Sequence, residues 1–263
     1  MKRRQLMMAG ACFFSSQVVA VRPARSADAP SPADLVQKVL DNDPWGLSGA
    51  TVKATITLTD RNGKQRKLSF TAHSRRHDPP FSKSIVRFTA PPDLAGAGFL
   101  QVQSRSADDD RFLFLPELKR SRRISGSLRS SSFMGTDFSF ADLDRRDLRE
   151  GTPSSKGEES IGNFPCHKVD VVPKRNDSPY SHLELWIRKD NFLPLKMMLF
   201  DKSDVAMKEF RSLEVRRVSG QWFISKSKMT NLRDKQVTDL DLEQIVVEDV
   251  ADDAFTVREL EKI

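Results

Sequence analysis

Histidine and cysteine are the residue types here best suited to metal or nucleophilic chemistry, and their spacing argues for neither. His73 and His77 stand four apart, a separation that brings two imidazoles to one zinc ion when it falls on a helix. In this chain the pair ends a stretch of alternating apolar and polar residues. That pattern predicts a strand, along which four residues cover about 13 Å. His167 and His182 have no carboxylate or cysteine at ligand spacing. Cys166, between Pro165 and His167, reads as an ordinary strand cysteine rather than an activated thiol. A Gly-x-Ser-x-Gly elbow, a phosphate-binding loop and a dinucleotide fingerprint are all missing from the sequence. The expectation is a binding protein with no catalytic residues, no metal and no cofactor.

The residues that do point to a function lie between Arg111 and Leu143. Phe112, Leu113, Phe114 and Leu115 form a strand that is apolar on both faces, and Pro116-Glu117 turns it. Lys119, Arg120, Arg122 and Arg123 follow, with Arg129 nearby, and then comes a Ser/Gly/Phe loop from Phe133 to Phe140. Such an order suits a surface that holds an apolar guest and grips a charged one. The expected apolar lining is Val86, Phe88, Leu100, Val102, Phe112 and Phe114. Phe133, Met134, Phe138 and Phe140 would form its lip, and Gly135 would let that loop bend. An acyl chain is the natural guest: each buried methylene contributes roughly 0.8 kcal/mol, so sixteen carbons gain on the order of 10 kcal/mol over water. Lys119, Arg120, Arg122, Arg123 and Arg129 are the expected docking set for lipid headgroups or an acidic partner. Arg145, Arg146 and Arg149 alternate with Asp142, Asp144, Asp147 and Glu150, a pattern that predicts mutual neutralisation.

The elements that must position these residues are mostly strands. Ser31 as N-cap, Pro32 at the first helical position and an apolar stripe of Leu35, Val36, Val39 and Leu40 predict one opening helix. Alternation then predicts strands at 51–59, 67–72, 84–89, 99–103 and 111–115, with an Asn62-Gly63 hairpin turn. The middle, 133–160, is the least regular part, with a short polar helix expected over 142–150. Strand patterning returns at 164–172, 181–188, 192–200, 205–217, 222–231 and 237–246. Short connections favour an antiparallel meander of ten or eleven strands, too many to stay flat. With one thin helix to cover it, the apolar face is expected to wrap around a cavity.

The first residues read as a secretory signal: Lys2, Arg3 and Arg4 precede an uncharged run from Leu6 to Val21 that is too short and polar for a membrane span. Cleavage after Ala20 or Ala27 is compatible, with Ala27 favoured. Cys12 only faintly suggests a lipobox, because the apolar run before it is short. The whole chain carries a formal charge of +7, but losing residues 1–27 removes five basic residues and no acid. That leaves 38 basic against 36 acidic residues and weakens a nucleic-acid reading. Cys166 would then be the sole cysteine, so no internal disulfide is expected. The domain expectation is a signal peptide over 1–27 and a single domain over 28–263, periplasmic and monomeric.

Several segments resemble a known family. Leu113-Phe114-Leu115-Pro116, Arg122-Arg123-Ile124-Ser125-Gly126 and Ser132 through Ser139 to Asp142-Leu143 resemble outer-membrane lipoprotein-sorting proteins of the LolA-like superfamily. So do Leu185-Trp186-Ile187, Leu193-Pro194-Leu195-Lys196 and the strand from Trp222 to Asn231. That superfamily is similar in turn to the MucB/RseB periplasmic sensors. The resemblance implies a mainly β fold: a strongly curved antiparallel sheet, or incomplete β-barrel, with one or a few lid helices over an apolar cavity. It implies a carrier of lipoprotein acyl chains or another lipid, served by an inner-membrane exporter or transport complex. The alternative it implies is a sensor that binds an acidic segment of a membrane-anchored regulator.

Overall fold

Period-two alternation from Ala50 onward becomes one antiparallel sheet in the computed structural model, which describes residues 30–42, 49–78, 81–105 and 108–262. The expected signal segment lies outside the described residues. Those from Ser31 onward belong to one compact unit. Six strands run from the start: β1 (Ala50–Thr59), β2 (Gln65–Asp78), β3 (Phe81–Ala90), β4 (Gly98–Val102), β5 (Asp110–Leu115) and β6 (Arg120–Arg123). Seven follow the middle segment: β7 (Thr152–Ile161), β8 (Phe164–Val172), β9 (His182–Arg188), β10 (Pro194–Phe200), β11 (Ala206–Val218), β12 (Gln221–Asn231) and β13 (Gln236–Val247). Four short α-helices and three 3-10 turns complete the described fold; the α-helices are α1 (Pro32–Asp41), α2 (Phe140–Asp144), α3 (Arg146–Glu150) and α4 (Val257–Leu260).

The strand order is β6-β5-β4-β3-β2-β1-β13-β12-β11-β10-β9-β8-β7, so the sheet is two meanders joined where β1 meets β13. That junction runs from Ala50 opposite Val247 to Thr59 opposite Val237, with a bulge at Lys53/Ala54. Thirteen strands replace the expected ten or eleven. The two extra ones are β6 and β7, the unpaired edges. Neither buries a face: every residue of both is exposed or only partly covered, so no hydrophobic alternation marks them. Because consecutive strands β6 and β7 sit at opposite edges, the chain between them must cross the sheet. The irregular middle of the sequence is that crossing, and it supplies the cover that one helix alone could not.

Helix α1 forms as expected. Ser31 Oγ accepts from Asp34 N at 3.1 Å and the Asp34 carboxylate accepts from Ser31 N at 3.1 Å, closing a capping box. Its stripe of Leu35, Val36, Val39 and Leu40 is buried in a cluster with Leu148, Val169, Leu185, Leu193 and Met229. A second cluster joins β1–β4 and β13 to the crossing segment through Phe70, Phe88, Phe99, Phe133 and Phe140. Their ring centroids lie 5.4 to 5.9 Å apart. The other face of β3–β5 carries a third cluster of Ile85, Leu100 and Phe114, closed by Phe255 and Leu260 of the last segment.

Candidate ligand cavity

Between the sheet and the crossing segment lies a cavity of about 190 Å³. On this measure a water needs about 10–15 Å³, so the space suits roughly thirteen to nineteen water-sized groups. Nine strands, β1–β4 and β9–β13, contribute residues to its wall, and α1, α2 and α3 close it with Val39, Ala141 and Leu148. Most of the wall is apolar: Ile56, Phe70, Val86 and Phe99 on one side, and Leu193, Met197, Leu199 and Met229 on the other. A polar margin runs along Ser82, Ser84, Gln101 and Gln103. Gln103 Oε1 accepts from Ser82 N at 3.0 Å and from Ser82 Oγ at 3.2 Å.

Buried polar contacts tie the cover to the sheet. Ser139 caps α2, and Asp142 closes that capping box. The other Asp142 contacts reach down: Tyr180 donates its hydroxyl to Oδ1 at 2.5 Å, and Lys208 Nζ donates to Oδ2 at 2.9 Å. Lys208 Nζ also lies 3.2 Å from the Tyr180 oxygen. Burial, then the adjacent Asp142 carboxylate, push the Tyr180 phenol well above its usual range, so it stays a donor. Asp137 N donates to Thr238 Oγ1 at 2.9 Å, and that hydroxyl donates back to Asp137 Oδ2 at 2.7 Å. Burial raises the Asp137 carboxyl above the usual carboxylate range. The loop 133–140 is itself a tight hairpin, with Phe133 N bonded to Phe138 O at 2.7 Å and positive φ at Met134 and Gly135.

The expected lining residues divide between faces. Val86, Phe133 and Phe138 border the cavity. Phe88 and Phe140 pack in the aromatic cluster beside it, and Met134 is partly buried against that cluster. Leu100, Val102, Phe112 and Phe114 are on the opposite face, under Phe255 and Leu260. A strand apolar on both faces gives no parity with which to choose, and the C-terminal cover had no signal in the pattern. The cavity-facing partners on β4 are Phe99 and Gln101 instead. The distal half of the wall, from Leu183 to Met229, comes from segments whose alternation predicts strands without singling out lining residues. Tyr180 and Lys208 carried no motif that would have singled them out.

The basic set divides as well. Lys119, Arg120, Arg122 and Arg123 are exposed, and Arg123 pairs with Asp110 at 2.6 Å. Arg129 is a correction: it is 1 % exposed, within 3.4 Å of Asp177 and 3.9 Å of Asp147, and it faces no surface. Within 142–150 Arg149 lies 4.0 Å from Glu150, and the shorter pairs of this segment are longer-range. Arg146 meets Asp177 at 2.6 Å, and Arg149 and Arg111 both reach Asp109, at 3.1 and 3.0 Å. Arg145, in the left-handed region between α2 and α3, donates to Val39 O at 3.2 Å.

The histidines stay apart from this cavity's wall. His73 Nδ1 lies 2.7 Å from Thr51 Oγ1, and His182 stacks on Phe200 and meets Asp204 at 3.0 Å. Burial pushes the Cys166 thiol up, which keeps it protonated and poorly nucleophilic. Among the described residues no group of three or more His, Cys, Asp or Glu is placed to hold a metal ion, and no helix is long and apolar enough to cross a membrane.

A family model described as an uncharacterized protein family matches residues 81–262, well over half of the chain. The chain belongs to this family. Its fold is LolA-like. A domain named for outer membrane lipoprotein sorting, from Vibrio parahaemolyticus, superposes with a TM-score of 0.82 at 21% identity, over 88% of this chain and 98% of that one. A DUF1329 family protein from Desulfovibrio piger gives 0.81 at 26% identity, over 88% and 100%. A LolA superfamily protein from Nitrosomonas europaea gives 0.70 at 19%, over 87% and 98%. MucB aligns over 86% of this chain at 12% identity but with a TM-score of only 0.29, which supports no argument from it. No curated protein sequence matches the chain.

Proposed function

We propose that residues 28–263 form a single periplasmic, non-enzymatic binding domain, exported by the signal at 1–27. It holds an acyl chain of a lipoprotein or another lipid between the sheet and its crossing segment. The observation that carries this reading is the cavity itself: an apolar wall drawn from nine strands and three helices, closed by the aromatic residues Phe133 and Phe138. Residues from nine neighbouring strands bordering one space also support the incomplete-barrel form, with β6 and β7 left open. The volume suits one chain of moderate length rather than several. A membrane offers the same burial per methylene, so exchange runs near balance and small polar contacts of the cover decide its direction.

The edge β6 is the docking surface in this account. Lys119, Arg120 and Arg122 have no acidic side chain within 4 Å among the described residues, and Leu118 beside them is 55 % exposed. Cations around an apolar tip suit an anionic bilayer. An acidic peptide held by the same cations is the competing use of these residues.

Native mass spectrometry after gentle purification, followed by fluorescent fatty-acid uptake by the delipidated protein, tests the reading. Met197→Arg puts a charge into the wall and abolishes uptake. Phe112→Arg, on the far face, leaves it intact. Uptake that is indifferent to Met197→Arg would remove the cavity from the account.

A further inference from the structure

We infer that the guest carries a hydrogen-bond acceptor at one end, an acyl carbonyl or carboxyl oxygen, and that Gln101 donates to it from Nε2. The inference rests on the acyl-chain reading of the cavity and specifies which class of amphiphile fits. Along β3 and β4 the cavity face changes character in register. Val86 stands opposite Phe99, and one step further Ser84 stands opposite Gln101. The same cross-strand row reaches Ser74 on β2 and Arg111 on β5. Ser74, Gln101 and Arg111 are 1 %, 5 % and 2 % exposed. Arg111 is held by Asp109 at 3.0 Å.

Gln101 Nε2 and Ser74 Oγ are buried with no hydrogen-bond partner among the described residues. An amide nitrogen can only donate, so what it lacks is an acceptor. Leaving that donor buried and unpaired destabilises the protein, and a wall meant for bare hydrocarbon would be better served by leucine or methionine at this position. Gln101 borders the cavity where the apolar lining of Val86 and Phe99 gives way to Ser84. A fatty-acyl guest whose chain lies on the apolar side therefore brings its first oxygen to the row that lacks one.

Displacement of a fluorescent fatty-acid probe from the delipidated full chain by palmitate, methyl palmitate and hexadecane tests this. The two oxygen-bearing guests bind at least about fivefold tighter than hexadecane. Gln101→Leu weakens them about five- to tenfold, leaves hexadecane unchanged and raises the thermal midpoint of the ligand-free protein. A loss for both guests assigns the acyl carbonyl, and a loss for palmitate alone assigns a free carboxylate. Gln101→Met repeats the test if the leucine variant fails to fold. Equal affinities for all three guests, or affinities indifferent to both substitutions, would mean the row serves water only and would overturn the inference. Failure of every guest to bind the parent protein would instead defeat the acyl-chain reading beneath it.

Discussion

Asp142, Tyr180 and Lys208 form the most consequential polar contact at the residue scale, because Tyr180 and Lys208 are buried, the Asp142 side chain is 5 % exposed, and they bind the cover to β11. A buried ion pair loses about 3–5 kcal/mol when one partner is removed, since the remaining charge stays desolvated. Lys208→Met should therefore cost on that order in chemical denaturation, and adding Asp142→Leu should restore part of the loss in a double-mutant cycle. Asp137 makes the opposite kind of prediction. Its folded-state carboxyl is raised by burial above its unfolded value, so the folded protein binds the proton more tightly. Stability from this group rises as pH falls through the raised value towards the ordinary carboxylate range, and is lost as pH rises. Asp137→Asn should raise the thermal midpoint at neutral pH, with the gain shrinking as the pH falls through the raised value and levelling off below the ordinary carboxylate range. A gain that is constant with pH would contradict this. Phe133 and Phe138 were legible because their loop fixed their place, whereas Val86 adjoins Ile85, which is buried in the opposite cluster. Leu100, Val102, Phe112 and Phe114 were not legible, because β4 and β5 bury both faces and parity then says nothing.

Elements are legible in the sequence where they have an interior. Helix α1 announced itself by its cap and stripe, and its Ser31→Ala variant should lose about 1 kcal/mol in denaturation, the ordinary worth of an N-cap. Central strands were found because one face is greasy; β6 and β7 were missed because theirs is not. The single polar helix expected over 142–150 is two helices, α2 and α3, broken at Arg145 with φ 52°. Its exit is equally constrained. A Cβ on Gly151 would stand 2.4 Å from Asp147 O and 2.5 Å from Val171 Cγ1, so Gly151→Ala should destabilise the junction of α3 and β7 by about 1–3 kcal/mol. On the β6 edge, Arg120→Glu with Arg122→Glu should lower binding to anionic vesicles several-fold and flatten its salt dependence, without shifting the thermal midpoint. Vesicle binding that survives the reversal would leave those cations without a membrane role.

Across the whole molecule, the topology explains why a cavity exists at all. Two meanders meet at β1 and β13, which sends β6 and β7 to opposite edges, and the chain between them has to pass over the intervening strands. That passage covers the greasy face without filling it. A sequence pattern shows which residues want burial, but not that a linker must span the sheet, since the order of strands depends on pairings between residues almost two hundred positions apart. The most direct measurement is a crystal structure of the delipidated protein soaked with a fatty acid brominated near its methyl end. The account predicts an anomalous bromine peak within the wall formed by Phe99, Leu199 and Met229. A peak on the far face beside Phe112, or an unoccupied wall in a protein that has taken up the lipid, would contradict it.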